Sequence, residues 1–150
     1  GECIVSNYSR IIMAVDLSEE SAEVAQRARA IADSAELHVI HVIEPLSFAY
    51  GGDIPMDFSG IQDEIHQQAS GQLAKFAERE GIPEDRCHIV LGQPEVEIHA
   101  MAEEIAADLI VVGSHGRYGL ALLMGSTANG VLHGASCDVL AVRVGRQKKG

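Results

Sequence analysis

The chain has 150 residues, a length typical of one domain, and its 47% hydrophobic and 22% charged residues are ordinary for a globular protein. It carries 11 Lys and Arg against 22 Asp and Glu, so its formal net charge is -11. That charge repels phosphate backbones and anionic lipid, which argues against nucleic acid and membranes as partners. No apolar run reaches the roughly 20 residues of a membrane span.

The cysteines and the first residues bear on the compartment. Cys3, Cys87 and Cys137 are far apart and form no CxxC pair, so neither a disulfide framework nor a zinc cage is indicated. The first ten residues lack the basic start and apolar stretch of a secretory signal. We therefore expect the protein in the cytoplasm.

The first half of the chain alternates strand-like and helix-like segments. Arg10–Asp16 contains a continuous apolar run, which suits a strand buried on both faces. Ser18 is a candidate N-cap for a helix. The predicted helix has one narrow apolar face of mostly small residues, which consists of Ala22, Ala25, Ala28, Ile31, Ala32 and Ala35. A second strand follows at Leu37–Ile43, and then a long loop, Glu44–Ser59, of a length often found in lids and binding loops.

The second half continues the alternation. A helix marked by apolar residues from Ile61 to Ala77 ends at Gly81-Ile82-Pro83. The remaining predicted elements are a strand at Cys87–Leu91, a helix from Pro94 with Ile98, Ala102 and Ile105 inside, a strand at Leu109–Val112, a helix at Ser126–His133 and a strand at Val139–Val144.

This alternation predicts a single α/β domain, a doubly wound parallel sheet of five strands covered by helices on both faces. We expect it to span residues 9–145, between a flexible N-terminus (1–8) and a basic flexible tail (146–150). In such sheets ligands bind at the carboxyl ends of the strands, where the strand order reverses. For the assumed order 3-2-1-4-5, that point lies between the first and fourth strands.

A glycine-rich segment follows the fourth strand. Gly113, Gly116 and Gly119 come directly after it, and Gly125 and Ser126 precede the last predicted helix. Glycines let a ligand approach backbone N–H groups, and a helix N-terminus favours phosphate. The spacing favours a phosphate-binding loop. The alternative is that these glycines serve only the turns.

Rival motifs are absent. The chain has no GxxxxGK[ST], and no glycine follows the first strand as a dinucleotide fingerprint requires. A phosphoacceptor receiver domain would need an Asp after the third strand and a Lys after the fifth, and neither is present. His38 and His41 point to opposite faces of one strand and there is no HExxH, so we expect no metal site.

Five segments in order resemble the universal stress protein family. They are IIMAVDLS, HVIE, DLIVVGSHGRYGL, LLMGSTANGVL and CDVLAVRV, which together extend from Ser9 to Val144. The resemblance implies the five-stranded order assumed above and a homodimer that pairs through the edge strand Val139–Val144. Many members of the family bind ATP through G-2x-G-9x-G-[ST].

The resemblance also implies site residues. It puts the phosphate loop at Gly113, Gly116, Gly125 and Ser126, followed by Thr127 and Ala128. It matches Asp16 to an acid that contacts the nucleoside and Val42 to a residue of the adenine pocket. Ala14 and Val15, at the end of the first strand, are included among the predicted contacts. Eight residues separate Gly116 from Gly125, one fewer than in the family pattern.

The roles of Asp16, Arg117 and His115 can each be interpreted in more than one way. Asp16 either accepts a hydrogen bond from adenine or ribose or complements the dipole of the following helix. Arg117 either neutralises phosphate or is a solvated loop residue. His115 either donates to phosphate, acts as a base, or contributes only its backbone N–H. With so little positive charge nearby, we expect Mg²⁺ to bridge the phosphates, and we nominate no protein ligand for it.

The predicted function is a cytoplasmic, homodimeric universal stress protein that binds ATP or a related adenine nucleotide as a regulatory switch toward an unidentified protein partner. No residue is placed as a general base for water, so we expect slow hydrolysis at most and nominate no catalytic residue. The alternatives are a nucleotide-independent interaction protein of the stress response and an ATP-hydrolysing or phosphotransfer enzyme.

Overall fold

A computed structural model of the chain describes residues 8–31, 34–46, 59–113, 131 and 135–142. Its elements, in chain order, are β1 (Arg10–Ala14), α1 (Ser21–Ile31), β2 (Glu36–Ile43), α2 (Ser59–Glu80), a short 3-10 turn (Glu84–Arg86), β3 (Cys87–Leu91), α3 (Pro94–Glu104), β4 (Leu109–Gly113) and β5 (Asp138–Val142).

The sheet confirms the predicted architecture. Its five strands are parallel and lie in the order β3-β2-β1-β4-β5. Ala14 lies between Ile40 of β2 and Val112 of β4. β1 ends two residues earlier than predicted, although Val15 N–H still donates to the Ile40 carbonyl at 3.0 Å. β1 is therefore the central strand.

The two faces of β1 belong to two separate cores. Ile11 and Met13 pack with residues of α1 and α2 on one face. Ile12 and Ala14 pack with residues of α3 and with Val131 on the other. All four side chains are at most 2% exposed. The continuous apolar run of β1 is explained by this burial on both faces.

The buried face of α1 differs from the prediction. It consists of Ser21, Val24, Ala25 and Ala28, whereas Ile31 is 36% exposed. The helix begins at Ser21, after a turn in which Leu17 has a φ of 65°. The buried residues keep the i, i+3, i+4, i+7 spacing of one helix face, and that face includes Val24 where Ala22 was predicted.

The limits of the other helices agree with their sequence signals. Gly81 has a φ of 73°, and Ile82 N–H donates to the Ala77 carbonyl at 2.8 Å, which ends α2 as predicted. Pro94 opens α3. Of the predicted helix Ser126–His133 the structure describes only Val131, which is helical. None of the helices in the described ranges is long and apolar enough to cross a membrane.

One ion pair joins the ends of α1 and α2. The Arg29 guanidinium donates to the Glu80 carboxylate at 2.7 Å and also to the Glu80 carbonyl. The Glu80 side chain is 11% exposed and that of Arg29 is 33% exposed. Loss of one partner would leave the other charge poorly solvated.

We predict that Arg29→Met lowers the free energy of unfolding by about 2 kcal/mol, because it deprives the largely buried Glu80 side chain of a charged partner. The double variant Arg29→Met/Glu80→Met should recover most of that loss. Arg27→Met, at an exposed position of α1, is the control. Urea unfolding measures all four proteins, and a double variant no more stable than Arg29→Met would contradict the prediction.

Candidate functional site

The carboxyl ends of β1 and β4 lie side by side. Ala14 pairs with Val112, and Gly113 is the next and last residue of β4. Ala14 and Val15 are each 2% exposed, and Gly113 is buried. The strand order therefore brings the turn after β1 and the start of the glycine-rich segment to one edge of the sheet, at the reversal point.

A tight turn places Asp16 at this edge. The Ser18 N–H donates to Asp16 Oδ1 at 3.0 Å, and the Ser21 hydroxyl donates to the same oxygen at 3.5 Å. Such a bond from a backbone N–H two residues on is an Asx turn, and it lets Leu17 adopt its left-handed conformation. Asp16 thus shapes the entry to α1, with its side chain partly exposed.

His41 is a contributor that the sequence reasoning missed. It is 8% exposed, and its Nδ1–H donates to the Val15 carbonyl at 2.9 Å. The bond fixes the backbone that leads from β1 to Asp16. The signal in the sequence was a polar residue inside the apolar strand β2. His38 and His41 do lie on opposite faces of that strand, as predicted.

Val42 is the second-last residue of β2 and pairs with Val90 of β3. Its side chain is fully buried in the core beneath α3. In the described residues its side chain therefore serves the core. Its role in an adenine pocket stays a prediction.

His99 was also missed. Its Nε2–H donates to the Val131 carbonyl at 2.9 Å, and Val131 itself is 1% exposed. His99 therefore ties Val131, which follows the glycine-rich segment in the chain, to α3.

The other predicted contacts lie outside the described residues. They are His115, Gly116, Arg117, Gly125, Ser126, Thr127 and Ala128. Ala14, Val15, Asp16 and Gly113 are the predicted contacts that the structure brings to one edge. Within the described ranges no group of three or more His, Cys, Asp or Glu side chains could hold a metal ion.

The chain matches the profile of the Universal stress protein family over residues 7–143. It is 42% identical over 140 residues to Universal stress protein A homolog 1 of Coxiella burnetii, with 91% of this chain and 96% of the relative covered. It is 34% identical to Universal stress protein MJ0531 of Methanocaldococcus jannaschii, with 91% and 82% covered. The chain belongs to the universal stress protein family.

Solved structures share the fold. The hypothetical protein MJ0577 matches with a TM-score of 0.72 at 24% identity, covering 95% of this chain and 99% of that one. A universal stress protein in complex with cAMP matches with a TM-score of 0.56 at 27% identity, covering 90% and 96%. The first likeness concerns the fold alone, whereas the second comes from a family member with a bound nucleotide.

We predict that His41→Phe destabilises the fold by about 1–3 kcal/mol, because the Val15 carbonyl loses a buried donor while an aromatic ring is kept at that position. His66→Phe, on the exposed side of α2, should change stability by less than about 0.5 kcal/mol. Chemical denaturation measures both. Equal stability of the His41→Phe variant and the original protein would mean that this hydrogen bond does not hold the end of β1.

Proposed function

We propose that the protein binds ATP, or a related adenine nucleotide, as a regulatory ligand at the carboxyl ends of β1 and β4. The observation that carries this proposal is the strand order, which puts Asp16 and Gly113 at the reversal point of the sheet. Ligands of open parallel sheets bind there because the two chain crossovers diverge and leave a crevice. The family member in complex with cAMP supports an adenine nucleotide as the ligand.

The nucleoside half of the site has a suitable chemistry. A carboxylate can accept about four hydrogen bonds, so Asp16 can serve both its turn and an adenine amino group or a ribose hydroxyl. Its negative charge makes it a poor phosphate contact. Ala14 and Val15 add an apolar, water-excluded strand end beside it.

The phosphate half is assigned to the glycine-rich segment. Gly113 starts it at the end of β4, and the proposed contacts continue with Gly116, Gly125, Ser126, Thr127 and Ala128. Backbone N–H groups and a helix N-terminus can bind phosphate without basic side chains. His115 and Arg117 are the further polar contacts proposed. Mg²⁺, when bound with the nucleotide, would neutralise phosphate charge in a chain whose net charge is -11.

We further propose that nucleotide occupancy acts as a switch, since no side chain at the described edge is placed as a general base for water. The switch would change which protein binds to a homodimer formed through β5. β5 is the outermost strand on its side of the sheet, and an open strand edge is a template for pairing with a second copy.

The first test identifies nucleotide in freshly purified protein by denaturing it and analysing the supernatant by mass spectrometry. We expect an adenine nucleotide near one per chain in the original protein and none in Gly116→Asp, whose bulk and charge oppose phosphate. The matched control is Gly71→Asp on α2, where an added Cβ meets nothing within 4 Å.

Two results would contradict the proposal. One is a Gly116→Asp variant that retains nucleotide as well as the Gly71→Asp control does. The other is a protein that is purified empty and gains no thermal stability from added ATP, although ligand at about 100 times its dissociation constant should add about 2.7 kcal/mol.

The second test separates the turn-forming role of Asp16 from a ligand-binding role. Asp16→Asn keeps the acceptor for the Ser18 N–H, so we expect unfolding close to that of the original protein but ATP affinity lowered about tenfold. Asp16→Ala should lose both stability and affinity. Glu19→Ala removes a neighbouring exposed carboxylate as the control. Isothermal titration calorimetry measures the affinity, and an unchanged Asp16→Asn value would assign Asp16 to the turn alone.

A further inference from the structure

Three polar side chains form a hydrogen-bonded line at the amino end of β2. The Glu36 carboxylate lies 2.6 Å from His38 Nε2, and His38 Nδ1 lies 3.0 Å from His88 Nε2 of β3. The ring planes of the two histidines differ by 9°, and the centroids are 5.3 Å apart. With facing nitrogens 3.0 Å apart, this geometry places the rings edge to edge in nearly one plane.

Charged groups from every neighbouring element face this line. Arg10 of β1 pairs with Glu36 at 3.2 Å, and Arg86 of the 3-10 turn lies 4.0 Å from it. The carboxylates of Asp85, in the same turn, and of Glu104, at the end of α3, attract a proton on His88 electrostatically. His38 is 7% exposed, so water cannot readily replace its partners.

The protons on the histidine pair, His38 and His88, can be counted from these contacts. With no added proton, His38 Nε2–H donates to Glu36 and His88 Nε2–H donates to His38 Nδ1. One added proton is accommodated, since a protonated His38 donates to both Glu36 and His88. A second proton puts N–H on both facing nitrogens, so no acceptor remains between them.

The direction of titration agrees with this count. Burial, and then the charge of His38, lower the pKa of His88, and Glu104 and Asp85 only partly oppose that shift. The hydrogen bond from His38 lowers the pKa of Glu36, which therefore stays ionised while His88 titrates. Because the pKa of His88 is lowered on folding, its contribution to stability is full above about pH 6.5 and is lost as the pH falls through the lowered value.

His88 lies on an outer strand, so its protonation can affect how that strand is held to the sheet. β3 is the outermost strand on its side of the sheet, joined to β2 along Val39 to Ile43. An outer strand has one strand neighbour rather than two. The bond between His38 and His88 adds a side-chain link to that single ladder.

We propose that Glu36, His38 and His88 form a proton-responsive latch, which holds β3 to β2 while the histidine pair carries at most one added proton and loosens β3 when a second binds. The inference is independent of nucleotide binding, because the latch lies at the opposite end of β2 from the candidate site. The ligand is the proton itself, and the response is local opening of an edge strand in acid.

The first measurement follows the histidine ring protons of the full-length protein by NMR from about pH 8 to about pH 4.5. We expect the signals of His88 to shift in two steps, the second below the ordinary histidine value of about 6.5. The signals of His66, which is exposed on α2, serve as the internal reference. A single step for His88 at or above about 6.5 would overturn the latch.

The second measurement is hydrogen exchange of the β3 amides, expressed as protection factors so that the intrinsic effect of pH cancels. We expect the protection factors of the β3 amides to fall between about pH 7.5 and about pH 5. If the pKa of His88 is lower by one in the closed strand than in the opened strand, the fall should be about tenfold. His88→Gln keeps a donor for His38 Nδ1 without titrating in this range, so its β3 protection should stay within about twofold. His66→Gln is the matched control and should behave as the original protein does.

Both outcomes of the exchange experiment are decisive. Loss of β3 protection in the original protein and in His66→Gln, but not in His88→Gln, supports the latch. An equal loss in all three proteins would assign the acid response to other groups and overturn it. If His88→Gln did not fold, the NMR titration of the original protein would still decide the question.

Discussion

The structure depends on the central position of β1, whose two faces are buried and whose two edges are paired with other strands. Its apolar side chains separate two cores, and β2 and β4 pair with its two sides. Right-handed crossovers put α1 and α2 on one face while the chain moves outward from β1 to β3. When the chain returns past β1 to β4, the same handedness moves α3 to the other face. The reversal of strand order between β1 and β4 is therefore a consequence of the central position of β1.

Two histidines hold backbone carbonyls on the two faces of the sheet. The buried His41 donates to the Val15 carbonyl, and the partly buried His99 donates to the Val131 carbonyl, each through one ring N–H. A buried polar side chain needs a partner, and for His41 that partner is the backbone just after β1. His41 thus helps to fix the backbone that leads to Asp16.

The two ends of the sheet carry different polar chemistry. At the carboxyl end the Asp16 carboxylate accepts hydrogen bonds within the turn that leads into α1. At the amino end polar side chains bind one another and the strands. Asp108 accepts from the N–H groups of Ser9 and Arg10 at 2.8 and 3.0 Å, and the Glu36–His38–His88 line joins β2 to β3. The candidate nucleotide site and the proposed latch therefore share no residues.

Much of this was determined by the sequence itself. Apolar runs, Pro94 and Gly81 set the strands and helix limits because their effects are local, and five ordered segments indicated the family and the strand order. Which face of α1 is buried was decided by the packing of that helix on the sheet, where Val24 contributes to the core. The contacts of His41 and of the histidine pair join residues 26 and 50 positions apart. Only tertiary structure decided them, because the register between strands determines which side chains meet.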